Sequence, residues 1–178
     1  MDLVTAVRSP GPLTRADLAA MPDDGCRYEL LDGAILMTPA PGPRHQALVT
    51  RIWRALDQVS PAHAEVFVAP LDVVLPTGDV LQPDVVVAPR TAVTERDVAG
   101  IPLLVVEVLS PSTRRRDLGD KLTAYRDAGC PAYWVVDPDR PGLRVHELRD
   151  GEYVEVATRT DGTTWSTTVP FDVTLDLS

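Results

Sequence analysis

Glu107 interrupts Leu103-Leu104-Val105-Val106-Glu107-Val108-Leu109, an otherwise apolar run of the kind that forms a strand buried on both faces. A carboxylate there is costly unless a cation or a metal ion compensates it, so the residue needs a partner. Asp84 opens a second apolar run, Val85-Val86-Val87, directly after Pro83, which places it at or just inside a strand start where an irregular backbone admits proline. If the two strands are neighbours, Asp84 and Glu107 converge at one end of a sheet. They would then offer two hard oxygen ligands of the kind Mg²⁺ prefers, with waters completing the octahedron. Taken singly, each has a plainer reading: Glu107 as a strand-end carboxylate facing an arginine, Asp84 as half of a Pro-Asp turn.

Lys and Arg total 17, and Lys121 is the one lysine among them. Arginine supplies every other positive charge, yet a site that needs a compact ammonium cannot accept a guanidinium in its place. Asp117, Lys121 and Tyr125 are spaced i, i+4, i+8 and share one helix face, next to the apolar Leu118 and Leu122. From a helix that follows the Glu107 strand, Lys121 can reach back to a phosphate or an attacking water. The alternative is an Asp117/Lys121 pair on the surface. His45, His63 and His146 are scattered, and Cys26 and Cys130 lack CxxC or Cys/His spacing. Carboxylate and magnesium are therefore favoured over zinc or a histidine-centred base, and the cysteines read as ordinary thiols.

These residues require a framework of short strands and two main helices. Residues 1 to 12 read as irregular, and Thr14 with Asp17 forms a capping box that opens a short helix to about Ala20. Arg27 to Thr38 reads as a hairpin turning at Asp32-Gly33. From His45, the apolar Leu48, Ile52, Leu56 and Val59 predict a helix ending near Ser60. Strands are expected at Glu65 to Leu75, Val80 to Ala88 and Leu103 to Leu109. One helix carrying Leu118, Leu122 and Tyr125 follows, terminated by Gly129 and Pro131. Ala132 to Val136 should pair in parallel with the Glu107 strand across that helix. Arg144 to Leu148, Tyr153 to Thr158 and a last strand near Phe171 to Leu177 should extend the sheet or form an edge for another subunit.

With 178 residues, 44% hydrophobic and 24% charged, the chain suits one globular domain over residues 1 to 178. It shows neither a signal segment nor a membrane-length apolar run, so a cytoplasmic protein with no membrane contact is expected. A net charge of -9 argues against tight non-specific DNA binding, although it permits a locally basic groove or a partner that supplies positive charge. Arg114, Arg115 and Arg116 before the Lys121 helix, and Arg44, Arg51 and Arg54 near the first long helix, are candidate phosphate contacts or simply solvated faces.

Pro83-Asp84, then Glu107-Val108-Leu109, then Lys121 on the following helix resemble the PD-(D/E)XK nuclease pattern. A closer resemblance, over about residues 14 to 175, is to the Uma-two family of bacterial restriction-endonuclease-like proteins. Its motifs stand here as Tyr28-Glu29-Leu30-Leu31-Asp32-Gly33, His45 opening a helix, Gln82-Pro83-Asp84, Glu107 through Thr113, Asp117, Lys121, Tyr125, Gly129 and Tyr133-Trp134-Val135-Val136-Asp137. The resemblance implies an α/β, restriction-endonuclease-like fold: a mixed central sheet flanked by helices, with additional N- and C-terminal β-hairpins.

It further implies a Mg²⁺-dependent endonuclease acting on DNA, with Mn²⁺ as a substitute. Asp84 and Glu107 would bind the metal, the Leu109 carbonyl would add a ligand, Lys121 would position or activate water, and Glu29 would be a further acidic site residue. His45, Arg114, Arg115, Arg116 and Tyr125 are the candidates for touching substrate. One departure stands out: the superfamily's usual lysine lies two residues after the second acid, and position 109 here is leucine, so the lysine has moved to the helix. A homodimer is expected, because cutting two strands with one site per chain calls for two copies. The competing readings are a catalytically silent nuclease-fold module that binds a protein partner, and an enzyme acting on a small nucleotide phosphodiester.

Overall fold

A computed structural model describes residues 5–7, 9–139, 142–159 and 164–176. Its first half contains β1 (Thr5–Val7), α1 (Arg15–Ala19), β2 (Arg27–Leu31), β3 (Ala34–Thr38), α2 (Pro43–Val59), β4 (Ala64–Val68), β5 (Val73–Val74), β6 (Val80–Leu81) and β7 (Val85–Pro89). Then come β8 (Val98–Ala99), β9 (Leu104–Val108), α3 (Arg114–Asp117), α4 (Asp120–Asp127), β10 (Ala132–Asp137), β11 (Gly142–Arg149), β12 (Glu152–Arg159), β13 (Trp165–Thr167) and β14 (Val173–Leu175).

The strands form two six-stranded mixed sheets and a separate pair. The central sheet runs β12-β11-β10-β9-β7-β4, and the second runs β1-β3-β2-β6-β5-β8. Within the central sheet only β9 and β10 are parallel, joined through α3 and α4 as a strand-helix-strand unit requires. The antiparallel register of β7 on β9 sets Val85 opposite Val106, so the start of β7 and the end of β9 meet at one end of the sheet.

Strand alternation then sorts the side chains into layers. Val85, Val87, Leu104, Val106, Val108, Trp134 and Val136 bury themselves against Val49, Ile52 and Leu56 of α2, together with Trp165, Val173 and Leu175 of the small sheet. The opposite face carries Val86, Ala88, Val105, Leu109, Tyr133 and Val135, covered by Tyr125 and Ala124 of α4 and by Leu31, Leu36 and Leu81 of the second sheet. Asp84 and Glu107 fall in this second set by parity, and Glu29 has the parity of Leu31 on β2. The same alternation that builds the cores therefore aims all three carboxylates into the space between the sheets.

Several expected elements are divided or displaced. The run Glu65 to Leu75 ends at Val68, and Val73–Val74 joins the second sheet. Val80 to Ala88 also changes sheets, breaking at Gln82-Pro83, where proline has no N–H to give a ladder. The single helix expected before Gly129 is two, α3 and α4, interrupted at Leu118-Gly119, where Gly119 has φ -134° and ψ -87°. Residues 5–7 form a strand paired with β3 rather than an irregular lead. The final strand does not extend the main sheet: β14 pairs with β13 and packs on α2, and Leu177 lies outside the described residues. Val59, expected on the buried stripe of α2, is 47% exposed, and Val49 takes the buried place instead.

The Thr14/Asp17 capping box and the Asp32-Gly33 hairpin form as expected. Gly33 has φ +68°, and a Cβ there would lie 2.8 Å from the Pro12 Cβ, so the turn both requires the left-handed conformation and seats the N-terminal segment. No helix among the described residues is long and apolar enough to cross a membrane.

Because α2 is held to the central sheet by Ile52 and Leu56, which are 1% and 0% exposed, truncation there should leave a cavity. Leu56→Ala is expected to lower unfolding free energy in urea by about 2–5 kcal/mol; a change below about 0.5 kcal/mol would contradict the packing described.

Candidate active site

Lys121 is the centre of the cluster between the sheets. Its Nζ lies 2.8 Å from Glu29 Oε1, 3.1 Å from Glu107 Oε1 and 3.9 Å from Asp117 Oδ1. All four side chains are 5% exposed or less. Each comes from a different place: Glu29 from β2, Glu107 from β9, Asp117 from α3 and Lys121 from α4. The interruption between α3 and α4 does not part Asp117 from Lys121, and their pair is deeply buried rather than a surface contact. Glu29 Oε1 also accepts the Gln82 N–H at 2.7 Å, tying β2 to the chain just ahead of Asp84.

Asp84 forms a second centre beside the first. Its Oδ2 accepts the Val108 N–H at 2.9 Å, which sets it against the residue following Glu107. His45 Nε2, near the start of α2, lies 3.1 Å from the same oxygen. Arg27 Nη1 donates to Asp84 Oδ1 at 3.1 Å and to the Gln82 carbonyl at 3.2 Å. The side chains of Arg27 and His45 retain 17% and 11% exposure against 4% for Asp84, so these two residues cover Asp84 on its accessible side.

The cluster shifts its own protonation equilibria. Burial pushes Glu107 well above the usual carboxylate range; Lys121 opposes this, while Asp117, Asp84 and Glu29 push the same way. Asp117 is pushed up to about 6, again chiefly by burial, with Lys121 and a Thr113 hydrogen bond pulling down. Burial would raise Asp84 too, but the His45 hydrogen bond, the Arg27 charge and the Val108 N–H together hold it below its ordinary value. For Lys121, burial favours the neutral amine, and the carboxylates of Glu107, Glu29 and Asp117 outweigh it to keep the ammonium charged above its ordinary range.

Asp84, Glu107, Lys121, Glu29 and His45 are thus brought together as expected. His45 does not cap its helix, since Gly42 is the N-cap, and its side chain turns to Asp84. Leu109 follows the end of β9, 3% exposed, with its N–H bonded to the Val136 carbonyl at 2.8 Å. Tyr125 requires a correction: it is 0% exposed, packs on Tyr133 at a ring separation of 5.7 Å, and lies beneath the cluster where a polymer cannot touch it. Tyr133 in turn donates its hydroxyl to the Asp117 carbonyl at 2.7 Å, so this tyrosine pair supports the α3–α4 junction.

The three arginines disperse. Arg114 pairs with Asp137 at 2.7 Å at the end of β10, Arg115 is exposed, and Arg116 lines an open groove of about 1350 Å³ between the N-terminal segment, the β2–β3 turn and α4. That groove includes none of Glu29, Asp84, Glu107 and Lys121 among its lining residues. The groove and the buried charge cluster are thus separate places in the fold.

A sequence profile described as "Putative restriction endonuclease" matches residues 15–178. The chain belongs to this Uma2 family. A solved structure titled as a putative nuclease belonging to DUF820, from Anabaena variabilis, superposes with a TM-score of 0.69 and 19% identity, covering 85% of this chain and 86% of its own. At that identity the likeness establishes the fold, which is restriction-endonuclease-like. No curated protein matches this chain.

Arg27 is the member of the cluster that the sequence motifs leave out. Arg27 has the strand parity of Glu29 and Leu31, so a charged residue two places before Glu29 on a core-facing side was the available signal.

The raised Asp117 carboxyl has a measurable consequence. Its folded value of about 6 exceeds the unfolded one, so it contributes stability below about pH 4 that is lost as pH rises through 6. Asp117→Asn should flatten this part of the profile: between pH 4 and pH 7 the wild type should lose up to about 3 kcal/mol more than the variant in urea unfolding. Superimposable profiles would contradict the assignment.

Proposed function

We propose that this protein is a Mg²⁺-dependent endonuclease that hydrolyses DNA phosphodiesters, with one nuclease domain per chain. The observation that carries this reading is the buried meeting of the sole lysine with Glu29 and Glu107, beside Asp84, at one end of the central sheet. Glu29, Asp84, Glu107 and Asp117 supply four carboxylates, and Arg27 and Lys121 two lasting cations. The four acids outnumber the two cations by two. That deficit suits a divalent ion, and the buried Asp117 Oδ1 has no hydrogen-bond partner of its own.

Among the described residues no three His, Cys, Asp or Glu side chains form a ready-made cage. Mg²⁺ does not require one, because it binds through one or two carboxylates and keeps several waters. Asp84 and Glu107 would hold it, with the Leu109 carbonyl as a further ligand and Mn²⁺ as a substitute. When bound, the ion lowers the pKa of water and stabilises charge on the phosphate. The chain's own residues do the rest. Lys121, paired with Glu29 and Glu107, orients the attacking water and offsets negative charge. Glu29 fixes the lysine, and His45, Arg114, Arg115 and Arg116 contact phosphates. Two copies acting together in the cytoplasm would cut both strands.

The net charge of -9 favours a second reading, a nuclease-fold module without activity that binds a basic protein. The test is to titrate Mn²⁺ and Mg²⁺ into wild type, Asp84→Asn and Glu107→Ala while following thermal stability and nicking of plasmid, single-stranded DNA and cyclic nucleotides. A metal-dependent rise in melting temperature and DNA nicking, both lost in the variants, is expected. Indifference to metal in all three proteins would overturn the proposal in favour of the silent module, and cleavage of cyclic nucleotides alone would reassign the substrate.

Lys121→Arg should lower nicking by roughly 100-fold or more, because a planar guanidinium cannot replace the ammonium between Glu29 and Glu107. Full activity in that variant would remove lysine's role.

A further inference from the structure

Arg27 bears on how a cation enters the site. Its guanidinium sits on Asp84 Oδ1 at 3.1 Å, while the other carboxylate oxygen already has two donors, His45 and the Val108 N–H. Both Asp84 oxygens are thus engaged by N–H donors. The charges acting on Arg27 are those of Asp84, Glu29 and Glu107, so one guanidinium serves the same acids that surround the cation site. It is also 17% exposed, the most accessible side chain of the cluster, whereas Glu107 and Lys121 are 2% and 5% exposed.

From this geometry we propose that Arg27 is a positioning residue that competes with the divalent cation for Asp84 and couples cation binding to the arrival of a phosphodiester. The inference rests on the metal-site reading given above. While Arg27 holds Asp84 Oδ1, its positive charge lies where a second cation would be repelled, so the acids are compensated from within the chain. A phosphate group is a strong, bidentate partner for a guanidinium. Once phosphate draws Arg27 away, Asp84 presents a free oxygen, and His45 and the Val108 N–H still hold the carboxylate in place. Cation and phosphodiester therefore strengthen each other's binding, and linkage makes the effect reciprocal. The acidic protein gains a reason to load its cation chiefly on substrate.

The alternative role for Arg27 is purely structural, holding Asp84 and the Gln82 carbonyl in position. Charge separates the two: Arg27→Gln keeps a hydrogen-bond donor without the charge, and Arg27→Lys keeps the charge. Mn²⁺ binding to the folded proteins is measured by calorimetry, with and without a short phosphorothioate oligonucleotide. We expect Arg27→Gln to bind Mn²⁺ at least about tenfold tighter than wild type, about 1.4 kcal/mol, and Arg27→Lys to remain near wild type. The oligonucleotide should tighten Mn²⁺ binding severalfold in wild type and leave Arg27→Gln unchanged.

If wild type binds Mn²⁺ and Arg27→Gln binds it no more tightly, competition by Arg27 is wrong while the metal site stands. If Arg27→Gln binds more tightly but the oligonucleotide affects both proteins equally, the coupling through Arg27 is wrong. If neither protein binds Mn²⁺, the metal-site reading itself fails and this inference falls with it.

Discussion

Taking a lysine out of water costs several kcal/mol unless charged partners receive it, and the two sheets close over one another around such a lysine. Lys121 meets Glu29 from one sheet and Glu107 from the other, with Asp117 from the preceding helix at its side. Removing the lysine would leave three buried carboxylates without their shared cation, which is why cluster and fold are mutually dependent. Apolar residues of similar volume would pack the same space with less penalty. The retention of four carboxylates in the interior is therefore hard to attribute to stability and points to chemistry.

The framework works for the site through parity. Alternation along β7, β9 and β2 sends hydrophobic residues to one face and the next residue to the other, and the acids occupy positions that a core residue would otherwise fill. A register slip by one residue would turn Asp84 or Glu107 toward α2 and abolish the site. Pinning comes from the Asp84 contact with the Val108 N–H and from the Gln82 contact with Glu29, two bonds in which the site residues themselves fix the register.

Much of this was legible in the residues. The apolar run around Glu107, the proline ahead of Asp84 and the isolated lysine pointed to three of the cluster's members, and the order of strand, helix and strand gave their arrangement. That Val73–Val74 and Val80–Leu81 join a second sheet is not legible, because a short apolar segment carries no mark of which sheet it joins. The break between α3 and α4 was likewise hidden, since Gly119 reads as an ordinary weak helix residue when its neighbours are periodic. The depth of Tyr125 is hidden for a related reason: helical spacing places it on the lysine's face but does not say how deep that face lies. Arg27 is marked in the sequence only by sharing the strand parity of Glu29, a faint signal for one arginine among many.

The crossing of the chain from one sheet to the other at Gln82-Pro83 has a kinetic meaning as well. Gln82 bonds Glu29 through its N–H and Arg27 through its carbonyl, while Asp84 two residues later bonds the end of β9. The groups involved come from widely separated stretches of sequence, so each contact closes a long loop and is entropically late. Neither sheet contains the whole charge cluster alone. A nascent or partly unfolded chain would expose hydrophobic strands before it could assemble its charges, and any activity that depends on the cluster would be withheld until the two sheets had docked.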